Sequence, residues 1–369
     1  MGLNCGIVGL PNVGKSTLFN AITKNRAADA ANYPFCTIEP NVGRVEVPDE
    51  RLHRIKTLIG SHTMIPNFLE LVDIAGLVKG ASKGEGLGNQ FLGHIRQVDA
   101  IIHVVRCFED SEVIHVDGSP DPKRDTDTIN LELLYSDFEL VNKMIEKLSR
   151  HVKSKDKTLV FQYECLINLK AHLEKSLPGR SYAFRDEDEE LFLKSLGLIT
   201  MKPVLYAANV SESDFSQGGA GNDYYKALLE VARNENAQVV MVSAKIEEEL
   251  ISLNESEAKE YLISLGVQES GLDRLIREGY GILNLETFFT AGEKETRAWT
   301  FKKGMRAPEA ASVIHTDFQK GFICAEVYSC DDLFKYNTVQ SLKEAGLYRK
   351  EGKDYICRDG DVIHFLFNV

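Results

Sequence analysis

The stretch with the most specific chemistry in this 369-residue chain is residues 9–17, GLPNVGKST, which follows an apolar run at residues 5–8. The spacing fits the P-loop pattern G-x4-G-K-[ST], in which backbone N–H groups and a helix N-terminus bind phosphate. Lys15 would bridge the β- and γ-phosphates of a nucleotide, and the Ser16 hydroxyl would bind Mg²⁺. A strand-to-helix turn without a ligand is the alternative. The predicted nucleotide-binding residues of the loop are Asn12, Val13, Gly14, Lys15, Ser16 and Thr17.

Two further segments supply groups that a bound nucleotide needs. Residues 73–76 read DIAG and close an apolar segment, so Asp73 lies at the carboxyl end of a predicted parallel strand. At that edge of an α/β sheet the Asp73 carboxylate can reach the metal, and the Gly76 N–H can approach the γ-phosphate. Thr37, in a polar loop between the two motifs, can add a second hydroxyl to Mg²⁺ when a triphosphate is bound. The predicted metal ligands are Ser16, Thr37 and Asp73.

Composition is typical of a globular protein with two or three domains. The chain has 43% hydrophobic and 27% charged residues, and its longest apolar runs have the length of strands, so we expect no membrane span. Because the formal net charge is −12, any binding of nucleic acid must use a local basic patch. The seven cysteines are scattered without metal-binding spacing, and residues 1–4 run directly into the first strand. These features predict free thiols and a cytoplasmic location.

Five apolar runs of strand length alternate with helical patterns, which is typical of a parallel α/β sheet. The runs lie at residues 3–8, 68–72, 100–105, 203–208 and 238–242. The sheet would hold the P-loop and Asp73 at one edge, because the carboxyl ends of parallel strands meet there.

The alternation stops at about residues 128–200, where two long helices are predicted at 129–148 and 159–177. An inserted antiparallel helical hairpin is the simplest account. The turn between the helices is basic in an acidic protein, which favours contact with RNA or another partner, although a solvated turn is the alternative. After about residue 280 the pattern predicts a small α+β module. The candidate RNA contacts are Arg150, Lys153, Lys155 and Lys157.

Together these segments resemble the YchF or Obg-like ATPase family, of the TRAFAC class of P-loop GTPases. The resemblance rests on the P-loop, on NYPFCTIEPN at residues 32–41, on the run from DIAGLVKG through residue 92, and on FFTAG at residues 288–292. It covers essentially the whole chain.

The resemblance implies the fold and its domain limits. The expected fold is a Ras-like α/β P-loop NTPase domain with an inserted antiparallel helical hairpin and a C-terminal β-grasp (TGS) domain of α+β type. The expected limits are 1–127 for the first part of the nucleotide-binding domain, 128–200 for the hairpin, 201–279 for the second part, and 280–369 for the TGS domain.

It also implies the activity and the partners. The expected protein is an ATP-binding and ATP-hydrolysing switch that uses Mg²⁺, turns over slowly by itself, and is accelerated by a partner. Nucleotide-dependent binding to the ribosome or its large subunit is expected, with RNA contact through the hairpin tip and the TGS domain. We expect a monomer with no membrane association.

One position bears on the choice of base. Ras-like GTPases carry N-K-x-D after the fifth strand, whereas the equivalent segment here is NVSE at residues 209–212. Glu212 is one methylene too long to make the guanine pair that Asp makes, so guanine preference should be weakened. The resemblance points the same way, towards ATP, with Asn209 near the purine; a plain surface carboxylate is the alternative for Glu212. The predicted base-pocket residues are Asn209, Val210, Glu212, Ser243 and Ala244.

Catalysis needs positioning and charge neutralisation more than covalent help. Ras orients its attacking water with a Gln after D-x-x-G, but that position here is Leu77, which cannot orient water. The resemblance suggests that Asn12 helps to hold a K⁺ ion that neutralises charge between the phosphates, beside Lys15. His115, in a loop at residues 109–125, is a second candidate because imidazole exchanges protons near neutral pH; an ordinary loop histidine is the alternative.

Two other functions stay open from the sequence. A GTPase of the same fold would bind GTP more tightly despite Glu212. An adaptor that binds RNA or protein and uses nucleotide only as a structural ligand would be indifferent to the γ-phosphate.

Overall fold

The computed structural model describes residues 3–30, 42–74, 87–110, 113–116, 118–150 and 156–368. The predicted site residues Thr37, Gly76, Lys153 and Lys155 lie outside these ranges. The chain divides into two compact units. Unit 1 comprises Met1–Arg44 and Glu70–Leu275, and unit 2 comprises Val45–Leu69 and Ile276–Val369.

Within the described residues, the strands form two sheets. The first has the order β2-β4-β1-β5-β6-β7 and the second has the order β11-β10-β12-β8-β9-β3. The strands are β1 (Asn4–Val8), β2 (Val42–Glu46), β3 (Thr63–Ile65), β4 (Phe68–Asp73), β5 (Ala100–Arg106), β6 (Val204–Asn209), β7 (Gln238–Val242), β8 (Leu285–Ala291), β9 (Glu295–Lys302), β10 (Phe322–Ser329), β11 (Arg349–Glu351) and β12 (Asp361–Phe367).

The helices alternate with the strands of the first sheet and cover the second. They are α1 (Lys15–Ala30), α2 (Glu50–Ile59), α3 (Leu87–Gln97), α4 (Pro122–Ser149), α5 (Lys157–Leu173), α6 (Glu187–Ser195), α7 (Glu212–Ser216), α8 (Asp223–Asn234), α9 (Ala244–Leu250), α10 (Glu255–Ser264), α11 (Gly271–Ile282), α12 (Ala307–Ile314), α13 (Thr316–Lys320), α14 (Cys330–Tyr336) and α15 (Val339–Glu344).

The first sheet confirms the predicted parallel α/β architecture. β1 pairs in parallel with both β4 and β5, and β5–β6 and β6–β7 are parallel as well. All residues of β5 and β6 are buried, as expected for central strands covered by helices on both faces. The carboxyl ends of β1, β4 and β6 therefore lie at one edge of the sheet, where the predicted site residues follow.

The inserted helices differ from the prediction mainly at their ends. α4 begins at Pro122, seven residues before the predicted start, because Asp121 caps it and proline is favoured in a first turn. α5 begins at Lys157, where the Asp156 side chain accepts from two backbone N–H groups. The two helices and α6 share a core of buried residues, which are Val141, Cys165, Leu166, Leu169, Leu173, Leu193 and Leu198.

The second sheet carries a core on each of its faces. Successive side chains of a strand point to opposite faces, so Phe288 and Phe289 of β8 enter different cores. Phe288 packs with residues of α12, and Phe289 packs with Leu52 and Ile55 of α2. This arrangement explains why residues 45–69 belong to unit 2.

The unit boundaries differ from the predicted domain limits because Val45–Leu69 belong to unit 2, whereas the prediction placed residues 1–127 together in the nucleotide-binding domain. β3 pairs in parallel with β9, with Thr63 opposite Glu295. The short strand β3 thus adds an edge to a sheet whose other strands all lie after residue 284, and helix α2 covers one face of that sheet. The predicted limits of the helical insertion and of the TGS domain stay predictions.

No helix in the described ranges combines the length and the apolar character needed to cross a membrane. The cysteines that the structure describes form no disulfide with one another. They are Cys5, Cys107, Cys165, Cys324, Cys330 and Cys357.

Candidate nucleotide-binding site

The P-loop connects the buried strand β1 to helix α1. Its backbone takes left-handed conformations at Asn12 (φ 62°) and Gly14 (φ 92°), which are residue types that tolerate this region. A Cβ atom on Gly14 would lie 2.3 Å from Asn209 Nδ2, so a side chain has no room at this position. Leu18 N donates to Gly14 O at 3.0 Å, which continues the α1 hydrogen bonds back to the loop. The loop is therefore built as a compact turn that leads into a helix N-terminus.

Lys15 and Asp73 are brought together at the end of β4. The Lys15 Nζ forms an ion pair with the Asp73 Oδ1, and the side chains are only 9% and 19% exposed. Ser16, the next residue on α1, is exposed, so its hydroxyl is accessible to a ligand. A hydroxyl and a carboxylate are hard oxygen donors of the type that Mg²⁺ prefers, so the donor set fits the predicted metal. Thr37 and Gly76 lie outside the described residues.

Asn209 connects the P-loop to the end of β7. Its Nδ2 donates to Val13 O at 2.9 Å, and its Oδ1 accepts from Ala244 N at 3.0 Å. The sequence interpretation placed this amide near the purine. In the structure the amide joins backbone groups of the P-loop and of the first residue of α9, so Asn209 positions the loop, and its contact with the purine stays a prediction.

The other predicted base-pocket residues lie beside this connection. Val210 N donates to Val242 O at 2.9 Å, which joins the loops after β6 and β7. Glu212 is paired with Lys245 at 2.5 Å, and this hydrogen bond raises the pKa of the Lys245 ammonium. The Ser243 side chain is 1% exposed, and its Oγ has no hydrogen-bond partner among the described residues. Buried hydroxyls are normally satisfied, so this unpaired group fits a site that is completed by a ligand or water.

His115 is buried and paired, which bears on its predicted catalytic role. Its Nε2 lies 3.0 Å from Asp125 Oδ2, and both side chains are less than 5% exposed. Arg124 also pairs with the Asp125 carboxylate. In this conformation the ring nitrogen faces Asp125, so catalysis by His115 would require the loop to move, and the role stays a prediction.

The loop that contains His115 is held by a residue that the sequence analysis missed. The Arg106 guanidinium is 1% exposed and donates to the carbonyl oxygens of Phe108, Asp110 and Val113. Asn12 Nδ2 in turn donates to Ile114 O at 3.1 Å, which links this loop to the P-loop. The available signal was an arginine at the end of an otherwise apolar, buried strand.

The hairpin tip is only partly described. Arg150 and Lys157 are both exposed at the ends of α4 and α5, while Lys153 and Lys155 lie outside the described residues. Exposed cations at this place are compatible with phosphate contacts, and RNA binding by the tip stays a prediction.

Two family models match parts of the chain. Residues 285–368 match the model YchF-GTPase_C, described as a protein of unknown function (DUF933), and residues 4–161 match a model described as a 50S ribosome-binding GTPase. These matches cover the P-loop part of unit 1 and the C-terminal part of unit 2.

Relatives match over the full length. The chain is 55% identical to the ribosome-binding ATPase YchF of Bacillus subtilis, and 51% and 48% identical to the proteins of that name from Haemophilus influenzae and Escherichia coli O157:H7. Each match covers 100% of both chains. The solved structure of the Schizosaccharomyces pombe YchF GTPase is 42% identical, with a TM-score of 0.89 over 99% of this chain and 98% of that one.

These matches confirm the resemblance and the fold that were predicted from the motifs. With a relative that is 55% identical over the complete length of both sequences, this chain belongs to the YchF family.

Proposed function

We propose that this chain is an ATP-binding and ATP-hydrolysing molecular switch that binds the ribosome in a nucleotide-dependent way. The observation that carries the proposal is the placement of Lys15 and Asp73 together beside a P-loop at the carboxyl edge of a parallel sheet. The names of the full-length relatives, ribosome-binding ATPases, support the choice of nucleotide and partner. We place the protein in the cytoplasm, where its nucleotide and partner would be.

The residues of the P-loop supply most of the phosphate binding. Backbone N–H groups at the start of α1 point at the phosphates, and the Lys15 ammonium neutralises part of their charge. Ser16, Asp73 and Thr37 would hold Mg²⁺, which when bound neutralises the charge that develops on the transferred phosphoryl group. Lys15 must leave Asp73 to reach a phosphate, so nucleotide binding exchanges one ion pair for another.

The proposed base pocket favours adenine because its contacts to guanine are weakened. Glu212 is held by Lys245 and has a longer side chain than the Asp of guanine-specific enzymes. Guanine specificity depends on two hydrogen bonds to a short carboxylate, and their loss costs a guanine-specific site much of its preference. Val210, Ser243 and Ala244 complete the proposed pocket, and Asn209 holds it against the P-loop.

Turnover by the isolated protein is expected to be slow. Leu77 stands where a water-orienting glutamine is found in Ras-like enzymes, so another group must position the attacking water. Asn12 is the proposed ligand of a K⁺ ion that would add positive charge beside Lys15. His115 is the proposed proton carrier, after release from Asp125.

The test of the proposed function is calorimetric titration of the nucleotide-free protein with ATP and GTP, each with Mg²⁺. Tighter binding of ATP is the expected result. Sedimentation with ribosomes in the presence of ADP or a non-hydrolysable ATP analogue then tests the switch. Ribosome binding that is equal with both nucleotides would support the adaptor function instead.

A GTPase of the same fold is the second candidate, because the solved structure at 42% identity is named a GTPase. Tighter binding of GTP in the same titration would establish that alternative.

A further inference from the structure

A cavity of about 280 Å³ lies in unit 1 beside the first half of α4. Its wall is formed by α4, by the turn after α5, and by the segments that lead into β6 and β7. Because Thr200 precedes β6 and Glu235 precedes β7, the cavity lies towards the amino ends of these strands, whereas the P-loop and Asp73 lie at the carboxyl edge. We call it the α4 cavity, and it is a concave site separate from the nucleotide site.

The turn that forms one side of the α4 cavity is fixed to the protein. Gly179 N donates to Thr200 Oγ1 at 3.0 Å, and Thr200 Oγ1 donates to the buried Asp137 carboxylate at 2.8 Å. A Cβ atom on Gly179 would lie 2.7 Å from Met201 Cγ, so the turn packs without space for a side chain at this position. The cavity therefore exists before a ligand binds, which lowers the entropic cost of binding.

Three charged side chains line the α4 cavity, and two of them neutralise each other. The Arg180 guanidinium forms an ion pair with the Glu235 carboxylate. Glu235 also accepts from Asn130 Nδ2 at 2.9 Å and from Tyr206 Oη at 2.8 Å, so both of its oxygens are engaged. The third charged group, the Asp127 carboxylate, is thus the excess charge of the lining.

The Asp127 carboxylate makes no hydrogen bond or ion pair to another residue in the described ranges. Burial raises the pKa of this carboxyl, and the negative charges of Glu235 and Asp121 add to the effect, while Lys123 opposes it. Asp127 is nevertheless an exposed residue, so a ligand can reach it. A carboxylate that is partly desolvated and close to other negative charges is stabilised by a cation.

The rest of the lining supplies one more acceptor and an aliphatic surface. Asn130 lies three residues after Asp127 on α4, so the two are neighbours on one face of the helix. The Asn130 Nδ2 contacts Glu235 and Tyr206, and the Oδ1 accepts no hydrogen bond from the described residues. Ammonium groups donate to such oxygens, whereas alkyl chains are stabilised against aliphatic side chains. The aliphatic lining residues are Leu131, Leu133, Leu134 and Pro178.

We propose that the α4 cavity binds a small aliphatic amine in its ammonium form. The ammonium group would donate to the Asp127 carboxylate and to Asn130 Oδ1, and the alkyl chain would lie against the aliphatic lining. One monovalent cation balances the single excess carboxylate of the cavity. The proposal goes beyond nucleotide-dependent ribosome binding, and none of its residues belongs to the proposed nucleotide site.

The test is a titration of the full-length protein, labelled with carbon-13 in its leucine methyl groups, with n-hexylammonium chloride at neutral pH. Physiological salt screens non-specific attraction to this acidic protein. Hexanol has the same alkyl chain without the charge, and hexanoate has the opposite charge. We expect saturable shifts of the methyl signals of Leu131 and Leu134, with a Kd of about 1 mM or lower for hexylammonium. Hexanol and hexanoate should bind at least about tenfold more weakly.

Two variants separate the contact to the charge from the contact to the chain. Asp127→Asn should weaken hexylammonium binding about tenfold and leave hexanol binding unchanged, because it removes the charge and keeps the size of the side chain. Leu131→Ser should weaken the binding of both ligands about threefold, since part of the aliphatic wall is lost. Glu139→Gln removes a charge from an exposed position of the same helix and should bind as the wild type does. Thermal unfolding of each variant checks that the fold is intact.

Several results would overturn the proposal. They are saturable shifts that are absent or confined to other leucines, equal affinity for hexylammonium and hexanol, an unchanged affinity in Asp127→Asn, and an equal loss in Glu139→Gln. Tighter binding of hexanoate would also reject it, and would indicate that the ligand contacts Arg180, whose Nε has no hydrogen-bond partner in the described ranges. The comparison of the three ligands uses the wild type alone, so it stays decisive if a variant does not fold. ATP titration tests the proposed function separately.

Discussion

Lys15 at the start of α1 and Asp73 at the end of β4 neutralise each other through an ion pair between Lys15 Nζ and Asp73 Oδ1. Both side chains are expected to contact the bound nucleotide and its metal, so the pair is broken when the site fills. Asp73 also adds a negative charge near the place of the phosphates when no metal is present.

Asp73→Asn should therefore uncouple ATP binding from Mg²⁺. We expect the affinity for ATP without metal to rise about tenfold, or about 1.4 kcal/mol, because Lys15 is released and a repulsive charge is removed. The enhancement of ATP affinity by Mg²⁺ should be largely lost. Calorimetric titrations with and without Mg²⁺ measure both effects, with Glu70→Gln on the same strand as the control. An unchanged Mg²⁺ dependence would contradict the assignment of Asp73 as a metal ligand.

Glu212→Asp should shift the preference from ATP towards GTP. Shortening the side chain by one methylene removes its pairing with Lys245 and gives the carboxylate the length that guanine recognition uses. We expect the ratio of GTP affinity to ATP affinity to rise about tenfold or more in competitive titrations. Glu248→Asp, an exposed residue on α9, is the control. If the ratio is the same in wild type and Glu212→Asp, Glu212 does not determine base choice.

Asn12→Ala should remove any stimulation of ATP hydrolysis by K⁺. Asn12 is part of the P-loop, where its backbone is left-handed, and its Nδ2 donates to Ile114 O. The donor side of the amide is thus engaged by the protein, and the amide oxygen is the atom that would bind K⁺. We expect the wild type to hydrolyse ATP faster in K⁺ than in Na⁺, and the variant to show equal rates. A wild-type rate that does not differ between the two ions would refute the role of K⁺.

The sequence predicted the first sheet well because its strands are apolar, buried and arranged in regular alternation with helices. The P-loop and Asp73 could be located because phosphate and metal binding require particular residue types at a fixed spacing within a short segment. The grouping of residues 45–69 with unit 2 could not be predicted in the same way. It depends on the pairing of β3 with β9, more than 200 residues apart, and no local pattern specifies that partner.

Side-chain roles were also harder to predict than positions. The motif predicts that Asn209 lies near the base, but it does not predict that the amide also joins Val13 O and Ala244 N. The pairing of His115 with Asp125 depends on the packing of a loop against the first turn of α4. Such contacts are tertiary, and residue types alone do not determine them.

Asp137→Ala should strongly destabilise unit 1. The Asp137 carboxylate is fully buried and accepts from Ile199 N at 3.1 Å, Thr200 N at 2.7 Å and Thr200 Oγ1 at 2.8 Å. Burial raises the pKa of this carboxyl, although those donors oppose the shift. We expect a loss of about 3 kcal/mol or more in unfolding free energy, because three buried donors lose their acceptor. Glu139→Ala on the exposed side of α4 should cost less than about 0.5 kcal/mol in the same urea titration.

His103 should make the stability of the protein depend on pH below neutrality. The imidazole is 2% exposed on the central strand β5, and burial, with a smaller effect of Arg180, lowers its pKa to about 3. The unfolded chain therefore binds a proton at a pH where the folded chain does not. The stabilising effect is complete above the ordinary histidine pKa of about 6.5 and is lost as the pH falls towards 3. The slope from this one group approaches about 1.4 kcal/mol per pH unit.

His103→Leu should remove that slope. Between pH 7 and 5 we expect the variant to lose about 2 kcal/mol less unfolding free energy than the wild type, since one proton is no longer taken up on unfolding. Urea unfolding at pH 5, 6 and 7 measures the difference, and His62→Leu, at an exposed position in unit 2, is the control. If the unfolding free energies of His103→Leu and the wild type changed equally with pH, the buried imidazole would bind its proton as readily in the folded state as in the unfolded state. An acidic group would then have to stabilise the imidazolium on β5.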